Sequence, residues 1–222
     1  SAIPNGAITN TNSPGRSLVI HALVTVKPTV LNEAGFTFSQ SRIAAQPLGL
    51  TSKANSPDIN PAEPFPNTQG VVPNLLFTGG SSIVGFGPYH ELNRNYTAFD
   101  NVTWIKGRHT FKFGFNSNRY NKTENAAGQQ GAFNFSSAGA PTGTTTFQQS
   151  FANFLLGNVA TFSMPSSDIT PNIWAWQHEA YAQDDFKVGP HLTLYMGVRW
   201  SFFGQPTDSG NLLDNFDPTQ YN

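Results

Sequence analysis

Three times along the 222-residue chain, a run that alternates apolar with polar side chains breaks at a short turn and resumes as a second alternating run. Few patterns restrict a fold more. Successive side chains of a strand point to opposite faces, so alternation gives one sheet an apolar and a polar surface. The clearest run is 109–120, where Phe111, Phe113 and Phe115 point one way and Lys112, Gly114, Asn116 and Asn118 the other. Residues 191–203 repeat the design, with Leu192, Leu194, Met196, Val198, Trp200 and Phe202 against Thr193, Tyr195, Gly197, Arg199 and Ser201. One face suits hydrocarbon and the other water. Each run reaches the roughly ten residues that a tilted strand needs to cross a bilayer. The pattern reads as all-β, as antiparallel hairpins of a transmembrane β-barrel, with a soluble β-sandwich that packs its aromatics in a core as the alternative the same alternation allows.

Composition bears on what surrounds such a sheet. Only 11% of residues are charged, against about 25% in soluble proteins, so much of the exterior is not built to face water. No stretch approaches the ~20 consecutive apolar residues of a spanning helix. A net charge of −1 and the lack of clustered Lys and Arg remove the electrostatic case for nucleic acid. With no Cys there is no disulfide framework, thiolate metal site or cysteine nucleophile, and redox chemistry does not reveal the compartment. The sequence opens at Ser1 without Met or a signal segment and stops soon after a strand, so it reads as a piece of a larger barrel.

The hairpins are expected at about 16–38, 95–120 and 174–203. Their turns are placed at Lys27-Pro28-Thr29, Lys106-Gly107-Arg108 and Lys187-Val188-Gly189-Pro190. Segments 39–94 and 121–173 read as long loops, the first carrying Pro47, Pro57, Pro61, Pro64, Pro66, Pro73 and Pro88 and the Gly79-Gly80 pair. Such length is foreign to a compact soluble domain, whereas outer-membrane barrels combine short periplasmic turns with long extracellular loops. One helical signal lies at 146–156, where Phe147, Phe151, Phe154 and Leu155 recur at helical spacing before Gly157. Trp104, Trp174, Trp176, Phe186, Trp200, Phe202 and Phe203 lie where an interfacial aromatic girdle would stand.

Reactive chemistry is sparse. His178-Glu179 and Asp184-Asp185 are the only polar clusters of note, and neighbours on a strand face opposite sides, so neither pair converges on one substrate or metal. Glu179, Gln183 and Asp185 are expected on the polar lumen wall, with Asp184 near the periplasmic interface. Gly85-Phe-Gly87 lacks the helix and Lys of a phosphate loop. The Asn-X-Ser/Thr triplets at Asn95, Asn101, Asn121 and Asn134 are a chance product of an Asn-, Ser- and Thr-rich chain. The sequence thus assigns no catalytic, cofactor-binding or metal-ligating residue and reads as a non-enzyme. Ligand contacts remain unassigned to individual residues.

Several runs resemble a known family. Asn101-Val-Thr-Trp-Ile-Lys-Gly-Arg-His-Thr-Phe-Lys-Phe-Gly114, Phe151-Ala-Asn-Phe-Leu-Leu-Gly157 and Tyr181-Ala-Gln-Asp-Asp-Phe-Lys-Val-Gly-Pro-His-Leu-Thr-Leu-Tyr-Met-Gly-Val-Arg-Trp200 resemble the TonB-dependent receptors of the Oar-like type found in Gram-negative bacteria. Val26-Lys-Pro-Thr-Val-Leu-Asn-Glu33 and Asn215-Phe-Asp-Pro218 are similar to further pieces of that family, in the same order. The resemblance implies a section of barrel wall in the cell outer membrane, contacting lipid, the rest of the parent barrel and its plug. It also implies energy-coupled uptake of a small ligand, with a TonB-type system acting through a plug region outside these 222 residues. The rival reading is a soluble or surface-attached β-rich module that stacks exposed aromatics on carbohydrate. On the barrel reading, all three turns share one end of the sheet, and the loops around 64–88 and 128–162 carry the ligand contact.

Overall fold

The computed structural model describes residues 8–125, 130–214 and 218–220. In chain order its elements are β1 (Ile8–Asn12), β2 (Gly15–Lys27), β3 (Val30–Leu48), β4 (Asn74–Phe77), β5 (Tyr89–Lys106), β6 (His109–Glu124), β7 (Ala132–Phe135), α1 (Thr146–Leu155), β8 (Thr161–Ser163), β9 (Asn172–Gly189), β10 (Leu192–Phe203) and β11 (Thr207–Asp208). Two compact units share the chain. One comprises Pro14–Arg42, Leu92–Thr123 and Pro171–Asn222, and the other Ser1–Ser13, Ile43–Glu91 and Glu124–Thr170.

The first unit is an antiparallel sheet in the order β2-β3-β5-β6-β9-β10, with β11 paired to the start of β9. The β6–β9 register sets His109 against Phe186 and Thr123 against Asn172. Thr29 accepts a backbone hydrogen bond from Ile105 (2.8 Å), and Arg108 accepts one from Lys187 (2.9 Å). The three turns therefore share one end of the sheet. The third turn is Pro190-His191 rather than 187–190, because β9 runs on to Gly189 and a register irregularity between Leu192 and Thr193 absorbs the odd residue. Strands also run further than alternation foretells: β3 continues to Leu48 through Pro47, β5 begins at Tyr89 and β6 ends at Glu124. Beyond the apolar band both faces of a strand meet water, so the pairing persists after the alternation has faded.

The second unit contains what reads in sequence as loop. β1 pairs with the end of β3, Asn12 opposite Ala44 and Ile8 opposite Leu48. β4 and β7 pair in parallel, and β8 joins β7 antiparallel, making a three-stranded sheet. The far end of β3 and the strands β4, β7 and β8 lie within the segments 39–94 and 121–173 that read in sequence as long loops. Strands of three or four residues carry too little periodicity to be read from sequence. Helix α1 packs on this small sheet through Phe147, Phe151 and Phe154, which surround Phe77 at 5.5–6.2 Å between ring centroids. A capping box starts it: Thr145 Oγ1 accepts from the Gln148 backbone N–H (3.2 Å) and Gln148 Oε1 accepts from the Thr145 N–H (3.0 Å). Leu155, expected in the apolar stripe, is exposed, while Ser150 and Asn153 are buried. Their side chains donate to the Thr78, Ser136 and Ala138 carbonyls, which rolls the helix away from an all-apolar contact. Gly79 and Gly80 let it approach, since a Cβ on Gly80 would lie 2.0 Å from the Phe147 ring. Residues 128–129 of the proposed ligand loop, and 215–217 of the family-like Asn215–Pro218 run, lie outside the described residues.

Burial divides the units sharply. Among the described residues the buried apolar side chains are Ala45, Val71, Val72, Phe77 and Phe135, all in the second unit. The described residues of the first unit include none of them. Ile20 is 57% exposed, Val198 70% and Trp200 57%, and a sheet with this much apolar surface in water would be an aggregation hazard.

Candidate functional site

Register decides which side chains share a face. Phe111, Phe113, Phe115, Ser117 and Arg119 of β6 stand opposite Asp184, Ala182, Ala180, His178 and Trp176 of β9. The first four of these β9 residues oppose Met196, Val198, Trp200 and Phe202 of β10. Leu18, Ile20 and Ala22 of β2 oppose Phe38, Phe36 and Ala34 of β3. These rows are predominantly apolar, with Asn32 in the β3 row donating to Asp100 of β5 as a polar interruption. Ten residues separate His109 from Arg119 on β6, which at about 3.3 Å per residue and a tilt near 40° is about 25 Å along the membrane normal. That matches the height of the hydrocarbon-facing band of outer-membrane barrels.

Both rims of the band carry polar and aromatic groups. At the turn end His109 stacks on Phe186 (4.3 Å) and Phe111 (5.3 Å), and its Nδ1 lies 2.6 Å from Asp184 Oδ2. Trp104 packs on Phe111 (5.5 Å). At the other rim the Arg119 guanidinium sits 3.9 Å from the Trp174 ring centroid and 5.1 Å from that of Trp176. Two members of the expected girdle belong elsewhere. Trp200 pairs with Ala180, in the row of Phe115 near mid-depth, and Phe203 pairs with Gln177 on the opposite face. Sequence position along a strand gives depth only once the register is known.

The opposite face is polar and internally bonded. Lys112 Nζ donates to Asp185 Oδ2 (2.7 Å), Gln183 Nε2 donates to Asp185 Oδ1 (2.6 Å), and Ser201 Oγ donates to Glu179 Oε1 (3.1 Å). Tyr181 OH donates to Asn101 Oδ1 (3.1 Å), and Arg199 lies 5.6 Å from the Tyr181 ring centroid. A groove of about 740 Å³ runs here, lined by Asn101, Lys112, Tyr181, Gln183, Tyr195 and Arg199 among others. Glycine shapes it. The Tyr181 ring lies across Gly114 so closely that a Cβ there would be 2.2 Å from it, and Phe99 covers Gly35 in the same way. Sequence reading singles out neither Tyr181 nor Tyr195. Their signal is an aromatic beside a cross-strand glycine, visible only with the register in hand.

The polar clusters of the sequence separate as alternation requires. Glu179, Gln183 and Asp185 lie on the polar face, while His178 and Asp184 lie on the apolar one. His178 Nδ1 is 3.0 Å from Ser117 Oγ with no carboxylate on its ring, and the His109–Asp184 pair has no hydroxyl nucleophile. Among the described residues no three His, Asp or Glu side chains converge as a metal site would need. Gly85 belongs to the second unit's packing, its N–H donating to Asn74 Oδ1 (3.0 Å). That unit has a smaller cavity of about 270 Å³ lined by Thr68, Gln69, Ser166, Ser167 and Asp168 with two prolines. Both amide atoms of Gln69 are sealed from solvent there without a hydrogen-bond partner.

Among the described residues no helix is long and apolar enough to cross a membrane. No curated protein and no solved structure matches the chain. A family model for an outer membrane beta barrel domain matches it over residues 1–222. The 25 Å apolar band with two decorated rims is the physical counterpart of that match, and the chain belongs to the outer membrane beta barrel domain family and resides in the outer membrane.

Proposed function

We propose that this chain is wall of an energy-coupled uptake barrel of the TonB-dependent type, with its polar face along the route of a small ligand. The observation that carries this reading is the groove of Tyr181, Tyr195 and Arg199 on that face. It combines aromatic surface with a guanidinium not committed to a carboxylate, the equipment for a polar or anionic solute. The order-preserving resemblance of 101–114, 151–157 and 181–200 to Oar-like receptors supports the same reading. Its partners are outer-membrane lipid, the remaining barrel and plug of the parent protein, and a TonB-type coupling system acting on that plug. The second unit, whose segments Ile43–Glu91 and Glu124–Thr170 include 64–88 and 128–162, makes first contact with the ligand.

The rival, a soluble carbohydrate-binding module, fares worse. Its exposed aromatics would have to be the ligand platform, yet Phe113, Phe115, Trp176, Trp200 and Phe202 lie on the hydrocarbon face. The test is energy dependence. The parent protein, purified from outer membranes, should bind the periplasmic domain of the coupling protein, and uptake by cells carrying it should stop when the proton gradient is collapsed. Flux that survives uncoupling would make it a passive channel and overturn the proposal.

A further inference from the structure

The loop-side rim of the apolar face holds a cation that the uptake reading does not use. Arg119 stands at the end of the β6 row Phe111, Phe113, Phe115, Ser117, on the side that faces lipid. Its guanidinium is held against Trp174 and Trp176, and its Nε is sealed from solvent without an acceptor. Arg94 is close by, its Nη1 donating to Asn121 Oδ1 (3.2 Å). Directly below Arg119 a mostly apolar groove of about 300 Å³ opens among Phe36, Tyr96, Ala98, Ser117 and Trp176. The small side chains of Ala98 and Ser117 form its floor, and aromatic rings form its walls.

A positive, planar, under-satisfied donor above a hydrocarbon-lined groove fits an amphiphile whose charged head is a phosphate and whose tail is an acyl chain. Depth agrees, for Arg119 lies about 25 Å from the turn end, at the interface of the leaflet on the long-loop side, which in outer-membrane barrels is the outer one. The geometry points to a lipid-binding site at which Arg119, with Arg94 beside it, takes the headgroup phosphate of a phosphorylated, multiply acylated outer-leaflet lipid, one of whose chains lies in the Phe36–Ala98–Ser117 groove. Trp174 and Trp176 serve as both guanidinium clamp and headgroup-level anchor.

The test uses the protein purified from outer membranes in mild detergent and titrated with diphosphoryl lipid A or its dephosphorylated form. The phosphorylated lipid should bind saturably at one site, shift tryptophan emission and leave a lipid adduct in native mass spectrometry. Arg119→Gln should weaken binding about tenfold or more, the scale of a lost charge-assisted contact, with Arg119→Lys intermediate. Lys106→Gln, at the opposite rim beside Trp104, should change nothing. Equal binding of the dephosphorylated lipid, full competition by inorganic phosphate alone, or equal loss in Lys106→Gln would each overturn the site. Should Arg119→Gln fail to assemble, the phosphate dependence of the wild-type emission change decides the matter by itself.

Discussion

Phe113 gives the sharpest test of the membrane-facing surface. It lies four residues above His109 on β6, about 10 Å along the normal and so close to the middle of a 25 Å band, with Ala182 and then Val198 beside it in the same row. Its side chain is 43% exposed, and that exposure is to hydrocarbon. Phe113→Arg should therefore cost about 2–4 kcal/mol of barrel stability, and 3 kcal/mol is a change of about a hundredfold in the folding equilibrium. Asn116→Arg lies on the polar face opposite Glu179, where water and a carboxylate receive the charge, and should cost under about 1 kcal/mol. Phe113→Leu separates lipid from a packed protein interior. Lipid refills the missing volume at little cost, whereas a rigid core would be left with a gap worth on the order of 1 kcal/mol or more. Urea titration of the parent protein folded into vesicles, read by heat-modifiable gel mobility, measures all three. Equal penalties for the two arginine variants, or a wild-type protein that stays monodisperse without detergent, would refute the assignment of faces.

Other expectations follow from close approaches and charge. Gly114→Ala puts a methyl into the Tyr181 ring and should cost about 1–3 kcal/mol as overpacking; a double-mutant cycle with Tyr181→Ala should return most of it. Gly80→Ala should undock α1 from Phe77, seen as faster amide exchange over 146–155 with β6–β9 exchange unchanged. Asp208 accepts from the backbone N–H groups of Leu212 (2.7 Å), Asn172 (2.6 Å) and Gly210 (2.9 Å), which hold its carboxyl below the ordinary aspartate value against the opposing pull of desolvation. A depressed carboxyl stabilises above its unfolded pKa, so the 207–212 turn should stay ordered above about pH 4. It should loosen only as pH falls through the lower folded value, and Asp208→Asn should remove that pH dependence in amide exchange.

What the sequence discloses is whatever the bilayer imposes. Within the band each residue of β6 and β10 meets either hydrocarbon or water, so alternation holds there and Phe111, Phe113, Phe115 and the Leu194–Phe202 row can be assigned without coordinates, whereas β2 places Val19 and Leu23 on the face of His21. Past Arg94 or Thr123 that constraint lapses, and the polar ends of β5 and β6 look like loop although they remain paired. The β4–β7 pair was illegible for another reason: Asn74 and Ala132 meet across a wide sequence gap in strands of four residues. Arg119 illustrates a third limit. Its place at the end of an apolar row is visible in sequence, but its clamp needs the antiparallel register that brings Trp176 opposite and Trp174 one step away.

The parallel β4–β7 pair also bears on the order of folding. β4 comes from the segment linking β3 to β5, while β7, α1 and β8 come from the segment linking β6 to β9. Each hairpin closes across two residues and can zip locally, but registering β9 on β6 requires a long intervening chain to find its end point, at an entropic cost that rises by about 0.6 kcal/mol per doubling of loop length. Phe77, Phe135 and Phe154 pack against one another and tie both segments together, so forming this cluster first would shorten the effective tether for the β6–β9 pairing. If this cluster, completed by Phe147 and Phe151, serves as an assembly clasp, Phe77→Ala should slow barrel formation in vesicles more than it lowers the stability of the finished barrel.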